Sequence, residues 1–314
     1  MQFFVTGASG WIGSAVVPEL RAAGHDVVGL ARSDDSAAAL VAAGATAHRG
    51  DLADPAGLAE AAAASDGVVH LAFQHEVAFA AGDFAAAATA DRRAVEAMGA
   101  ALAGSDRPLV LASGMIGLVR GRVATEDDGL VPTSEVRQNP AARRLATALY
   151  ALSLAGIGVR SSVVRFAPTV HGDGDEGFVA TFVDVARQRG VSGYVGDGSN
   201  RWPAVHVSDA ARLVRLAAES APPGSVLHAA GEEGVVFRDL AAAIGRQVGV
   251  PAASVAPGDA LAHFGFLGHF AGLDSPASST ITRELLDWAP TGPTLLEDLE
   301  AGRYTRGVGT APTG

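Results

Sequence analysis

Residues 3–16 read FFVTGASGWIGSAV, an apolar run that meets three glycines at three-residue spacing, Gly7, Gly10 and Gly13, before a second apolar stretch. That pattern suits a pyrophosphate. Gly7 lets a strand turn sharply, Gly10 lets backbone N–H groups approach the phosphates, and Gly13 lets the following helix close on the strand. The anion then meets a helix N-terminus, where unpaired N–H groups and the macrodipole favour negative charge. The motif ends a first strand and opens a βαβ unit, so it reads as a dinucleotide cradle, with Ser9, Trp11 and Ile12 as further contacts. The second strand indicates which dinucleotide. It ends Gly29-Leu30-Ala31-Arg32-Ser33, with alanine where an NAD site carries the carboxylate that holds the ribose hydroxyls. Arg32 can face a 2′-phosphate and Ser33 can donate to it, so NADP (as NADPH) is the expected cofactor. Asp34 and Asp35 would oppose a phosphate if they turned inward, and the competing reading is a solvated loop arginine.

Those residues need a scaffold, and the rest of the chain supplies its pattern. Short apolar runs at 3–6, 27–30, 45–49, 68–72, 109–112, 162–166 and 226–229 alternate with helix-like segments at 12–23, 36–43, 55–64, 84–103 and 141–155. Such alternation predicts an α/β fold, a Rossmann-type doubly wound parallel sheet covered by helices on both faces. The expected division is a nucleotide-binding domain over 1–165, completed by about 204–230, with 166–203 and 231–314 forming a smaller C-terminal substrate lobe. Helices near 237–248, 258–272 and 278–288 belong to that lobe.

Composition narrows the function classes. With 314 residues, 48% of them hydrophobic, and a mean hydropathy of +0.24, the chain can bury a large core. A net charge of −11 argues against nucleic acid, and no apolar run approaches the roughly 20 residues of a membrane helix. The N-terminus has no basic segment before its first glycine, so a cytoplasmic protein acting on a small molecule is expected, with a homodimer left open. There is no cysteine, which excludes thiolate nucleophiles and thiolate metal sites. All 23 basic residues are arginine, so every mechanism that needs an amine side chain is excluded as well.

Taken together, TGASGWIG at 6–13, GDLAD at 50–54, VVHLAF at 68–73, LVLASGMIG at 109–117, VVRFAPTVHG at 163–172 and PAVHVSDAARL at 203–213 resemble the extended or atypical short-chain dehydrogenase/reductase superfamily, the NAD(P)-dependent epimerase/dehydratase group. The resemblance runs from residue 1 to about 230 and loosely beyond. It implies that Asp51 and Leu52 lie along the adenine, that Leu71, Ala72 and Phe73 border the ribose and diphosphate, and that the strand through Ala112 to Ser113 lies under the nicotinamide. It implies too that Pro168, Thr169 and Val170 contact the carboxamide, and that His206 ties the second lobe to the core. Asp209 is expected to cap the helix that follows.

The family's usual Tyr-x-x-x-Lys pair cannot exist in a chain without lysine. Ser113 matches the serine that binds the substrate oxygen, and the tyrosine position falls near Arg144, with Arg143 as the rival register. Arginine cannot act as a general acid, because its guanidinium stays protonated, but it can stabilise an oxyanion or grip a carboxylate. His171, just after the carboxamide turn, and His75, just after the fourth strand, are the candidate titrating groups. Met115, Tyr194 and Trp202 are the further substrate-pocket candidates. No metal site is expected: His263 and His269 in AHFGFLGHF lack a carboxylate at suitable spacing, and packing is the reading given to them. In the same stretch Phe264, Phe266, Leu267 and Phe270 either line an apolar pocket or form the lobe's core. The function expected is NADP-dependent reduction of a small carbonyl or imine compound. The alternatives are a non-catalytic NADP-binding sensor and a redox-neutral epimerase or dehydratase.

Overall fold

The computed structural model describes residues 1–80, 82–130 and 141–304. Residues 305–314, at the end of the expected lobe, therefore lie outside the described residues. The strands β1 (Gln2–Thr6), β2 (Asp26–Ala31), β3 (Thr46–Arg49), β4 (Gly67–His70), β5 (Pro108–Gly114), β6 (Arg160–Phe166) and, later in the chain, β10 (Ser225–Ala229) form one sheet. Its order is β10-β6-β5-β4-β1-β2-β3 and every pairing is parallel. The order reverses direction at β1, and ligands of such sheets bind beyond the carboxyl ends of the strands at that point.

Both faces of the sheet are covered, which is why its strands read as continuous apolar runs. Phe3 and Val5 enter one core and Phe4, between them, enters the other, as do Val164 and Val163 of β6. Helices α1 (Trp11–Ala22) and α2 (Asp34–Ala42) share the first core with the later helix α7 (Val207–Ser220). Helices α3 (Pro55–Ala63), α4 (Phe84–Leu102) and α5 (Ala141–Ser153) cover the opposite face. Local chemistry starts three of these helices. Ser33 and Ser36 make a capping box on α2, Asp54 accepts from Gly57 N at 3.1 Å ahead of Pro55, and Asp83 accepts from Ala86 N at 2.9 Å.

The second lobe is built from β7 (Thr169–His171), α6 (Phe178–Arg189), β8 (Ser192–Val195), β9 (Arg201–His206), β11 (Glu232–Val236), α8 (Phe237–Val248), β12 (Ala252–Val255) and α9 (Ala260–Phe264). A three-stranded sheet, β11-β9-β7, and the pair β12-β8 enclose a core around Phe182, Trp202, Phe237 and Phe264. The helix expected over 258–272 is broken into α9 between two 3-10 turns. Gly265 sits there at φ +58°, and Gly268 packs so close that a Cβ would lie 2.4 Å from Ala260 O. The helix expected over 278–288 shortens to α10 (Thr280–Leu286), and Leu286 and Trp288 pack into the nucleotide-domain core rather than into the lobe. A last helix, α11 (Leu295–Glu300), returns to the lobe's core through Leu295 and Leu299.

Candidate active site

At the end of β1, Gly7 takes φ +68°, and a Cβ there would lie 2.7 Å from Ala72 N. A Cβ on Gly13 would sit 2.0 Å from Gly7 O. Gly10 differs: its φ is −80° and a Cβ would meet only Gly7 O, at 3.3 Å, so the space beyond it is open. No side chain caps α1, which leaves the N–H groups of its first turn to that opening. Exposed Ser9 and half-buried Ile12 flank it. A cradle bare of side chains at the start of a helix fits a diphosphate. Trp11 departs from the expectation for its side chain. Its indole N–H donates to Val170 O at 2.8 Å and its ring lies against Gly172 and Gly174, so the side chain bolts α1 to β7.

At the end of β2, Ala31 is buried and Arg32 is exposed, with its guanidinium 3.8 Å from the Glu76 carboxylate. Asp34 pairs with Arg49, and the carboxylate within ion-pair distance of Arg32 among the described residues is that of Glu76. Ser33 is corrected: its hydroxyl accepts from Ser36 N and bonds Ser36 Oγ as the cap of α2, so in this structure it is not a free donor. Gly50 N donates to Ala31 O at 3.2 Å, which sets Asp51 and Leu52 beside the same strand end. Asp51 accepts from Ala53 N at 2.8 Å. Leu52 lines a cavity of about 510 Å³ with Pro55, Thr89, Arg93 and Arg143.

Beyond β4, Leu71 N donates to Thr6 O at 3.1 Å and Ala72 N to Thr6 Oγ1 at 3.3 Å. A buried polar line continues from there, with Thr6 Oγ1 2.6 Å from His70 Nδ1 and His70 Nε2 3.3 Å from Asp91 on α4. Because Thr6 Oγ1 accepts from Ala72, its hydrogen is free to go to Nδ1, which leaves Nε2–H to donate to the Asp91 carboxylate. Sequence reasoning missed this line. Its one signal was an acid among Ala87, Ala88, Ala94 and Val95, on the face of α4 that turns inward.

At β5, burial relaxes toward the carboxyl end: Leu111 is buried, Ala112 and Ser113 are half-buried, and Gly114 is exposed. Arg144, on the first turns of α5, points at that end. Its guanidinium lies 4.0 Å from the centre of the Phe73 ring and donates to Ala112 O at 3.3 Å. Desolvation lowers its pKa, and the field of Asp91 opposes that shift. Arg143 is exposed at the Leu52 cavity instead, so Arg144 is the arginine that faces the strand ends. His75 stands edge-on to Phe73 at 5.2 Å, and desolvation and then the Arg144 charge hold its pKa below the ordinary value.

Residues 3–230 match the NAD dependent epimerase/dehydratase family. The chain belongs to that family. An uncharacterized protein of Schizosaccharomyces pombe, C2A9.02, is 44% identical over 305 residues, 97% of this chain and 100% of its own. A 2-alkyl-3-oxoalkanoate reductase of Stenotrophomonas maltophilia is 30% identical over 230 residues, 72% of this chain and 67% of its own. The solved structure of MoeE5 in complex with UDP-glucose and NAD is 26% identical with a TM-score of 0.74, covering 98% of this chain and 99% of its own.

Several residues expected at the site lie elsewhere in the structure. His171 is fully buried: Nδ1 donates to Asp298 on α11 at 2.7 Å, and Nε2 lies 3.9 Å from Glu232 without a hydrogen bond. It pins the lobe and does not face the cleft. Thr169 is buried too, its hydroxyl donating to Pro203 O at 2.6 Å, and Val170 O is taken by Trp11. Of that turn, Pro168 alone is partly exposed. Met115 is buried in the nucleotide-domain core and Trp202 in the lobe's core, its indole N–H bonded to Leu273 O, so neither lines a pocket. Tyr194 packs over Gly198 on β8.

Asp209 is not a cap. His206 accepts from Ser208 N in that role, while Asp209 takes the N–H groups of Thr291 and Gly292 and the Arg212 guanidinium. Phe264 and Leu267 are core, whereas Phe266 is exposed and Phe270 stacks on Phe178 at 6.5 Å. No helix among the described residues is long and apolar enough to cross a membrane.

Proposed function

We propose that the chain is an NADP-dependent reductase of small carbonyl compounds. The observation that carries this reading is the position of Arg144, a half-buried cation held at the mouth of β4 and β5 by the Phe73 ring and Ala112 O. The order of the sheet sets that mouth on the side of β1 away from β2 and β3. If Arg32 and the end of β2 hold the adenosine half, the nicotinamide half lies over β4 and β5. NADPH bound there would supply hydride.

Gly7, Gly10 and Gly13 would hold the diphosphate, and Arg32 would meet the 2′-phosphate. The Ser113 hydroxyl would orient the substrate oxygen. The fixed charge of Arg144 would stabilise the alkoxide that forms, and water at the open end of β5 would protonate it. A cation beside the reacting atom repels an iminium, so carbonyl substrates are favoured over imines. The relative named as an oxoalkanoate reductase supports a carbonyl reduction.

The absence of lysine favours one other reading, a sensor that binds NADPH without turning it over. The deciding experiment follows NADPH absorbance with panels of aldehydes, ketones and cyclic imines. Steady oxidation with a carbonyl compound upholds the reductase. Tight NADPH binding with no oxidation by any panel member supports the sensor.

A further inference from the structure

Several arginines that this chain draws from water are satisfied by carbonyls or carboxylates. Arg107 donates to the carbonyls of Ala62, Ala63, Ser65 and Ala101. Arg160 donates to Ala218 O and Ala221 O, and Arg215 pairs with Glu19 and Glu219. Arg165, fully buried with His228 Nε2 at 3.3 Å, and Arg144 depart from that pattern, and of the two only Arg144 keeps partial exposure, at the strand ends. Of the five N–H donors of Arg144 one reaches a partner among the described residues, Ala112 O at a long 3.3 Å. The Phe73 ring covers a face of the guanidinium and takes none of its in-plane donors. The carboxylate whose field reaches it, Asp91, is turned to His70 Nε2, and no carboxylate among the described residues lies within ion-pair distance of Arg144.

We infer that Arg144 is the anion subsite of the substrate and that the substrate is an oxo acid, with its carboxylate close to the carbonyl that is reduced. A carboxylate matches the guanidinium fork with two parallel N–H···O bonds, which a neutral ketone cannot make. The cofactor's diphosphate is a poor candidate for the same donors. Its cradle lies at the end of β1, two strands from β5, which sets it about 10 Å away. Ser113 follows Ala112 on the same strand end, so the gripped carboxylate and the oriented carbonyl fall within one short carbon skeleton. In a 2-oxo or 3-oxo acid the guanidinium then serves the carboxylate and the nascent alkoxide together. The inference rests on the reductase reading for the reaction, and on the geometry of Arg144 for the anion.

The test measures binding apart from turnover. Protein loaded with NADP⁺ forms a non-reacting complex with an oxo acid, which tryptophan fluorescence can follow. The probes are phenylglyoxylate and 3-oxobutanoate, each against its methyl ester, with NADPH oxidation of all four measured in parallel. At least one acid should bind about tenfold to a hundredfold more tightly than its ester. Arg144→Gln should erase that difference, Arg144→Lys should keep part of it, and neither should change NADP⁺ affinity. Equal binding of acid and ester, or a preference that survives in Arg144→Gln, overturns the subsite. A parallel loss of NADP⁺ affinity overturns it too, since Arg144 would then serve the cofactor. Selective acid binding without NADPH oxidation sinks the reductase reading and keeps the subsite, whereas equal reduction of acid and ester does the reverse.

Discussion

Gly13 lies directly against Gly7: a Cβ on Gly13 would fall 2.0 Å from the Gly7 carbonyl oxygen, while a Cβ on Gly10, three residues earlier, would meet that oxygen at 3.3 Å and nothing else within 4 Å. The two glycines therefore fail differently. Gly13→Ala should force α1 off β1 and cost about 3 kcal/mol of stability, read as a lower urea midpoint. Gly10→Val should leave that midpoint almost unchanged, because φ at Gly10 is −80°, yet abolish NADPH binding. Micromolar NADPH affinity in Gly10→Val would remove the phosphate-cradle reading.

Arg32 and Glu76 offer a test of the proposed NADP preference. Arg32→Ala should weaken NADPH binding by about 1–3 kcal/mol and barely touch NADH, as for a charge-assisted bond to the 2′-phosphate. The Glu76 carboxylate, 3.8 Å from that guanidinium, competes with the phosphate, so Glu76→Gln should tighten NADPH selectively. Equal losses for both cofactors in the Arg32 variant would place this arginine on a part that NADPH and NADH share, and no loss for either would show that it is merely solvated.

The nucleotide domain was legible because its signals are local. Apolar runs, the glycine loop and the capping residues fix each strand and helix within a few neighbours, and all seven strands fall within two residues of the runs that announced them. The lobe was less legible because its contacts come from far along the chain. His171 follows a recognisable motif, but its burial depends on Asp298, 127 residues later. Asp209 reads as a helix cap until Thr291 and Gly292 take its carboxylate. Trp202 lies in a polar loop sequence and still reaches the core, because Phe182, Phe237 and Leu273 close round it.

His171 makes stability depend on pH. Desolvation depresses its pKa, and the Asp298 hydrogen bond only partly opposes that. His228, buried near Arg165, is depressed as well, again chiefly by desolvation. The unfolded chain therefore binds protons first as pH falls through about 6.5, and folding must exclude them. The urea midpoint should drop between pH 7.5 and pH 5.5 at constant ionic strength, and His171→Asn should flatten that slope even if it lowers the midpoint throughout. A midpoint that rises toward pH 5.5 would contradict the buried neutral imidazole.

Ser113 and Arg144 should divide the catalytic work unequally. Arg144→Ala should cost roughly 2–4 kcal/mol in kcat/KM if the guanidinium faces a developing oxyanion. Ser113→Ala removes one neutral hydrogen bond and should cost about 1–2 kcal/mol. A serine variant far more damaged than the arginine variant would move the charge stabilisation away from α5.

Catalysis should finally run without a tyrosine acid. No lysine is present to draw a phenol pKa from about 10 toward neutrality, and the three tyrosines are all engaged elsewhere. Tyr150 lies under the Arg92 guanidinium at 3.8 Å, on a part of α5 facing α4. Tyr194 packs over Gly198 in the lobe. Tyr304 is buried and donates to Asp175 at 2.8 Å, and burial first and that carboxylate second raise its pKa further. Phenylalanine at 150 or 194 should therefore leave turnover intact. At 304 it should lower stability by about 1–3 kcal/mol, since a buried carboxyl loses its donor, while turnover per folded molecule persists. A phenylalanine variant at any of the three that binds NADPH normally but loses roughly a thousandfold in kcat would restore a phenolic proton donor and end the arginine-based mechanism.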